Sequence, residues 1–356
     1  MMDKRVNSQA LILARESRGH SQKQVADGAG VSQELISKAE NDLRNLGEEQ
    51  VEKIARFLDY PALLFYEPGF LRDGTSTCLY HRKRKTLPAK VLSRVNATMH
   101  IRNINVNHIL HGIEVIGPRQ FHTLDVDEFG SPALVARALR TAWRVPDGPI
   151  VNMVALIESA GGVIVTAPFG HRKLFGMSCW TSRSHPLFYL NSEIPMADLR
   201  WTIAHELGHL VMHGFPTAGD IEAEADEFAA EFLTPAATIK PDLKGLTIEN
   251  AGRLKMHWRV SIKTLIRRAE SVGAITREYA MRLYKQYSAR GYNAAEPYPL
   301  KDEMPTLLNR AIQVHLEDHN YTHAELLEAI RLSAEDDYRE VGGMPPGKGG
   351  LSVVRS

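Results

Sequence analysis

Two histidines four residues apart can share one ion only if the chain between them is helical, and this requirement governs Trp201–His213, WTIAHELGHLVMH. On a helix, His205 and His209 stack on one face, with Glu206 beside the first. Ile203, Ala204, Leu207, Leu210 and Val211 provide the apolar surroundings that would bury such a helix. Gly208 costs a free helix about 1 kcal/mol, which makes sense where another backbone or a substrate passes close by. Neutral imidazole is a good ligand for Zn2+, and a catalytic zinc site keeps one coordination position for water. Glu206 is placed to take a proton from that water and hand it to a leaving amine.

Two imidazoles need a third donor. Residues 220–235, DIEAEADEFAAEFLTP, read as an acidic amphipathic helix ended by Pro235, with Ala225, Ala229 and Phe232 on its packing face. Glu222 lies on that side and is the expected third ligand. Glu224, turned away by about 200°, is the reserve. Asp226 shares the Glu222 face and can orient a ligand histidine from behind. Glu227 and Glu231 read as a solvated acidic face. His213 continues the histidine face two turns beyond His205 and reads as a supporting group more than a ligand. No residue is assigned to stabilise an oxyanion.

Residues 11–41, LILARESRGHSQKQVADGAGVSQELISKAEN, carry a second pattern. Ser21 reads as a helix cap, Gly30 as a turn and Ser32 as the cap of the next helix. Val25, Ala26, Val31 and Ile36 give the small apolar faces that let two helices cross closely. In a helix-turn-helix the second helix presents its first residues to the base edges of double-stranded DNA. Those are Gln33, Glu34, Ser37 and Lys38, with Gln33 suited to a bidentate pair with adenine. Gln22, opening the first helix, is expected to reach a phosphate. Seven bases against six acids leave residues 1–44 at only +1, thin for a DNA binder. The acid-free stretch 82–102, with seven Lys or Arg, is one candidate source of further phosphate contacts. Arg253, Lys255, Arg259, Lys263, Arg267 and Arg268 form another.

Elsewhere helical patterns run on from Pro88, from Phe129 to Trp143 with Ser131 as cap, and from Ile150 to Ile157. Strands are expected at 161–165, 177–180 and 187–190, and helices again from Met196 to His213, Asp220 to Leu233, Thr247 to Val272 and Met304 to Tyr338. The expected class is α+β, mainly α with a small β-sheet. Cys78 and Cys179 stand far apart, which fits a reducing cytosol and excludes a cysteine zinc ribbon. The N-terminus lacks a signal-peptide core, and no apolar run approaches the roughly 18 residues of a membrane span. A soluble cytoplasmic protein with no membrane partner is the expectation.

The run AHELGHLVMH followed by EAEADEFAAEFLTP resembles the ImmA/IrrE family of zinc metallopeptidases. The likeness extends to MSCWTSRSHPLFYLNSEIPMADLRWTIAHELGH and to LKMHWRVSIKTLIRRAESVG, a helix-turn-helix-like segment. The first 60 or so residues resemble an Xre/Cro-type repressor domain. Together the resemblances imply an all-α helix-turn-helix domain followed by a gluzincin-like domain, with His205, His209 and Glu222 as Zn2+ ligands and Glu206 as base. They further imply limited cleavage of a repressor or antitoxin, in a stress, phage or toxin–antitoxin response, and a homodimer on palindromic operator DNA. A non-catalytic transcription regulator or antitoxin, whose zinc domain senses a ligand or partner, is the alternative. The expected division is 1–68 helix-turn-helix, 69–148 basic linker and helical segment, 149–240 metallopeptidase core, 241–292 helix-turn-helix-like subdomain, 293–342 C-terminal helices and 343–356 disordered tail.

Overall fold

The computed structural model describes residues 5–68, 88–115, 117–171, 173–180, 185–213 and 220–332. The expected linker at 69–77, the basic run 81–85 and the tail 343–356 lie outside them. Four helices come first, α1 (Ser8–Ser17), α2 (Gln22–Ala29), α3 (Gln33–Glu40) and α4 (Glu48–Leu58), followed by a 3-10 turn at Ala62–Tyr66. Local chemistry sets their ends. Ser21 and Gln24 form a capping box, Gly30 stops α2 in the left-handed region at φ 66°, and Ser32 accepts from the Leu35 amide. Leu11, Val25, Ile36, Ile54, Leu58 and Phe65 make the shared interior.

The next helix, α5 (Ala89–Leu110), serves two interiors. Ile101 is buried in the core of the first four helices. Val95, Met99, Val106, Ile109 and Leu110 enter a different core. Apolar residues therefore surround the helix, as expected of one covered on several sides. Arg102, read as part of a basic surface, is instead buried and donates to Asn105 Oδ1 at 2.9 Å. It is withdrawn from any surface role by the same double burial.

The pattern expected from Phe129 to Trp143 divides into α6 (Val126–Phe129) and α7 (Pro132–Ala142). Gly130 adopts φ 83° and Ser131 caps the second piece. After α8 (Met153–Ser159) come β1 (Val163–Ala167), β2 (Gly176–Cys179) and β3 (Leu187–Asn191). The sheet order is β1-β3-β2, with β1 parallel and β2 antiparallel to β3. Strand alternation divides its faces. Val163, Val165, Met177, Cys179, Leu187 and Tyr189 meet the α5 core, whereas Ile164, Phe188 and Leu190 belong to the main core.

The remaining elements are α9 (Met196–Met212), α10 (Ile221–Leu233), α11 (Ala236–Asp242), α12 (Ile248–Trp258), α13 (Ile262–Ser271), α14 (Arg277–Ala289), α15 (Leu307–Glu317) and α16 (His323–Ala329). The chain expected to be helical from Met304 to Tyr338 starts later and breaks at Asn320, which takes φ 58° before Thr322 caps α16. Residues beyond 332 lie outside the described set. Among the described residues, no helix is long and apolar enough to cross a membrane.

A buried polar latch fixes the start of α9. Arg200, fully buried, donates to Glu303, to the Ile150 carbonyl (2.6 Å) and to the Arg259 carbonyl (2.9 Å). Glu303 also accepts from the Met153 and Val154 amides that open α8, at 2.6 and 3.3 Å. One carboxylate thus ties the C-terminal segment to two helices at once.

Candidate metal centre

The histidines of α9 face α10 across a contact set by Gly208. A Cβ there would lie 3.0 Å from Phe228 Cδ1 and 3.2 Å from its Cγ, closer than ordinary packing. The absent methyl lets α10 approach, and this brings Glu222, six residues before Phe228, opposite the imidazoles. His205 Nε2 and His209 Nε2 are 3.1 Å apart. Glu222 Oε1 stands 3.2 Å from His209 Nε2, and its Oε2 3.8 Å from His205 Nε2. These donor atoms all lie within 4.8 Å of one another.

The far nitrogen of each imidazole is held from behind. His205 Nδ1 meets Asp226 Oδ1 at 3.0 Å, and Arg267 donates to the other Asp226 oxygen at 2.8 Å. His209 Nδ1 meets His213 Nδ1 at 3.0 Å, and His213 Nε2 meets Glu224 Oε2 at 2.7 Å. Both Nε2 atoms are thereby turned toward one point. The reserve candidate Glu224 faces His213 and is not in the converging set. Two imidazole nitrogens and one carboxylate match a zinc site that leaves a fourth position open, so the residues present fit the ion.

Burial pushes His209 below the ordinary histidine range, with neighbouring His205 adding to the effect against the pull of Glu222, which favours the neutral form a metal requires. Burial likewise lowers His213 in spite of Glu224. For Asp226, burial works upward but the hydrogen bonds to His205 and Arg267 outweigh it, and the carboxyl is held down at about 2. Glu206, buried beside His205, accepts from Ser178 Oγ at 2.7 Å. Ser178 was missed in the sequence, although a serine between Met177 and Cys179 on a buried strand must face the opposite side of the sheet.

Residues 157–270 match the family model described as IrrE N-terminal-like domain, a peptidase family, and residues 11–65 match a helix-turn-helix model. The chain carries an IrrE-like domain behind a helix-turn-helix domain. No curated protein and no solved structure matches it.

A cleft of about 590 Å³ opens at this centre, with His205 and Glu222 among the residues that line it. Phe175 reaches it from the approach to β2, Trp201 from α9, and Thr264 and Arg267 from α13. Four of the six cations in the second basic run are engaged within the protein, while Arg253 and Lys263 are exposed. Lys255 pairs with Glu296 at 2.9 Å, Arg259 donates to the Val151 carbonyl at 2.6 Å, Arg267 pairs with Asp226 and Arg268 with Glu231. Glu231 accordingly departs from the solvated face expected for it. It is buried between Arg137 and Arg268, partners too remote in sequence to be seen by helical spacing, while Glu227 is exposed.

In the helix-turn-helix domain, Gln33, Glu34 and Lys38 are exposed on α3 and Ser37 is half-buried. Glu34 and Lys38 form an ion pair at 2.6 Å. Gln22 differs from its expected outward reach: its amide donates to Glu40 at 2.8 Å, where Arg15 also binds at 2.6 Å.

Proposed function

We propose that this chain is a cytoplasmic zinc metalloendopeptidase that also binds operator DNA, and that it cleaves a repressor or antitoxin-like protein to alter transcription. The observation that carries this reading is the convergence of His205, His209 and Glu222 donor atoms with Glu206 alongside. Zinc held by those three residues would supply Lewis acidity toward a carbonyl and toward water. Asp226 and His213 orient the two imidazoles. Glu206, fixed by Ser178, takes the proton of the attacking water and delivers it to the leaving amine. β2 pairs with β3 alone among the described strands, and Phe175, which leads into it, lines the cleft, so an extended peptide can add to its outer edge. At the other end, α3 presents Gln33, Glu34, Ser37 and Lys38 to base edges, and a homodimer would read two half-sites one helical turn apart.

Zinc content and cleavage test the proposal together. The wild type should hold one zinc per chain and His205→Ala none, by elemental analysis. Glu206→Gln should keep both zinc and DNA affinity while losing cleavage of the partner. A metal-free wild type from zinc-replete, chelator-free preparation would refute it, as would full cleavage by Glu206→Gln.

A further inference from the structure

We infer that the DNA-contacting surface extends past the helix-turn-helix domain onto the first turns of α5, where Lys90 and Arg94 hold phosphates beside the site read by α3. This rests on the reading of α3 as the DNA-facing helix. The first argument is electrostatic. Residues 1–44 carry a net charge of only +1 from seven bases and six acids, whereas binding duplex DNA calls for several phosphate contacts. Two of the domain's own cations are already paired, Arg15 with Glu40 and Arg18 with Asp59. Phosphate contacts must come in part from elsewhere.

The second argument is geometric. When a helix-turn-helix docks, the helix before the recognition helix crosses the sugar–phosphate backbone. Here that helix is α2, and the loop Arg18–Ser21 leads into its N-terminus. The stems of Lys90 and Arg94 lie over this loop, because a Cβ on Gly19 would be 3.8 Å from both Lys90 Cε and Arg94 Cδ. Both residues are exposed. A backbone passing along the start of α2 therefore comes within reach of two cations from outside the domain.

The helix segment that carries these cations is anchored. Ser93 donates to Glu16 of α1 at 2.6 Å. Arg94 donates to the Phe169 carbonyl at 3.1 Å, and Ile101 anchors α5 in the helix-turn-helix core. The ligand is the phosphodiester backbone, bound without regard to sequence. Of the basic stretch read in the sequence, Lys90 and Arg94 sit at this loop and the buried Arg102 does not.

Fluorescence anisotropy of the full chain on a mixed-sequence duplex of about 30 base pairs, between about 50 and 200 mM salt, tests this. Lys90→Ala should weaken binding several-fold at the lowest salt and make the log–log salt slope shallower by about 0.9, and Lys90→Ala/Arg94→Ala by about 1.8. Lys240→Ala, at an exposed lysine of α11, makes the same change in net charge and should leave the slope as in wild type. Wild-type binding with a slope that Lys90→Ala leaves equal to that of Lys240→Ala would overturn the inference and spare the DNA reading of α3. A wild type with no affinity for the duplex would overturn both.

Discussion

Replacing Glu303 by alanine probes the latch beneath α9. The substitution removes the carboxylate from a fully buried guanidinium and strips the acceptor from two amides at the start of α8. Breaking a buried ion pair from one side costs about 3–5 kcal/mol, since the remaining charge has no water to turn to. Each orphaned amide adds about 1 kcal/mol. Arg200 keeps its two carbonyl acceptors, which argues for the low end, so the expected loss is about 5 kcal/mol. All four tryptophans, at 143, 180, 201 and 258, lie in the same part of the chain, so intrinsic fluorescence in a urea titration reports its unfolding selectively. Glu303→Gln retains an acceptor and should lose less. Arg200→Met/Glu303→Leu, which removes both charges, should also lose less than Glu303→Ala. A loss under about 1 kcal/mol for Glu303→Ala, or a double variant worse than the single one, would show that the latch contributes by shape and not by charge.

Asp226→Asn should weaken zinc binding about 10- to 100-fold in a chelator competition, because His205 loses the anion that orients it, and unchanged affinity would remove Asp226 from the site. Gly208→Ala should destabilise by about 1–3 kcal/mol despite alanine's better helix propensity, since its methyl meets Phe228, and a gain in urea midpoint would contradict the close approach. Glu231 is held below its ordinary 4.5, burial being outweighed by Arg137 and Arg268. Its contribution is fully present above that value and is lost as the pH falls through the lower, folded value. The stability gap between wild type and Glu231→Gln should therefore be constant near neutrality and close in acid, and a gap that ignores pH would disprove the ionic role.

The parts of the molecule legible in its sequence were those governed by short-range rules. The caps at Ser21, Ser32 and Ser131, the turn at Gly30 and the stacking of His205 on His209 follow from residues a few positions apart. Asp226 and Glu222 were visible because one helix carries them on one side. The rest depended on chain segments that meet only after folding. Arg137 and Arg268 reach Glu231 from 94 and 37 residues away, and nothing in the acidic helix announces them. Arg267 looks like a DNA-binding cation until Asp226 and Trp201 are placed around it. The basic residues around α5 drew attention from its apolar ones, which lie on no single face because two different interiors claim them.

Ile101 sits among the residues of the first four helices, and this limits how the chain can be divided. A fragment ending at Tyr66 would lack part of its own interior and bare the side of α1 that α5 covers. Such a piece would tend to self-associate, and a weak or aggregated DNA reader made that way would say little about the intact protein. A cut after Leu110 would in turn bare Val95, Met99, Val106, Ile109 and Leu110, which belong to the other core, so neither boundary frees the head cleanly. On the proposed reading of α3, a change of DNA target is then a matter of resurfacing α3 in place, because an exchanged head would have to bring a matching socket for Ile101.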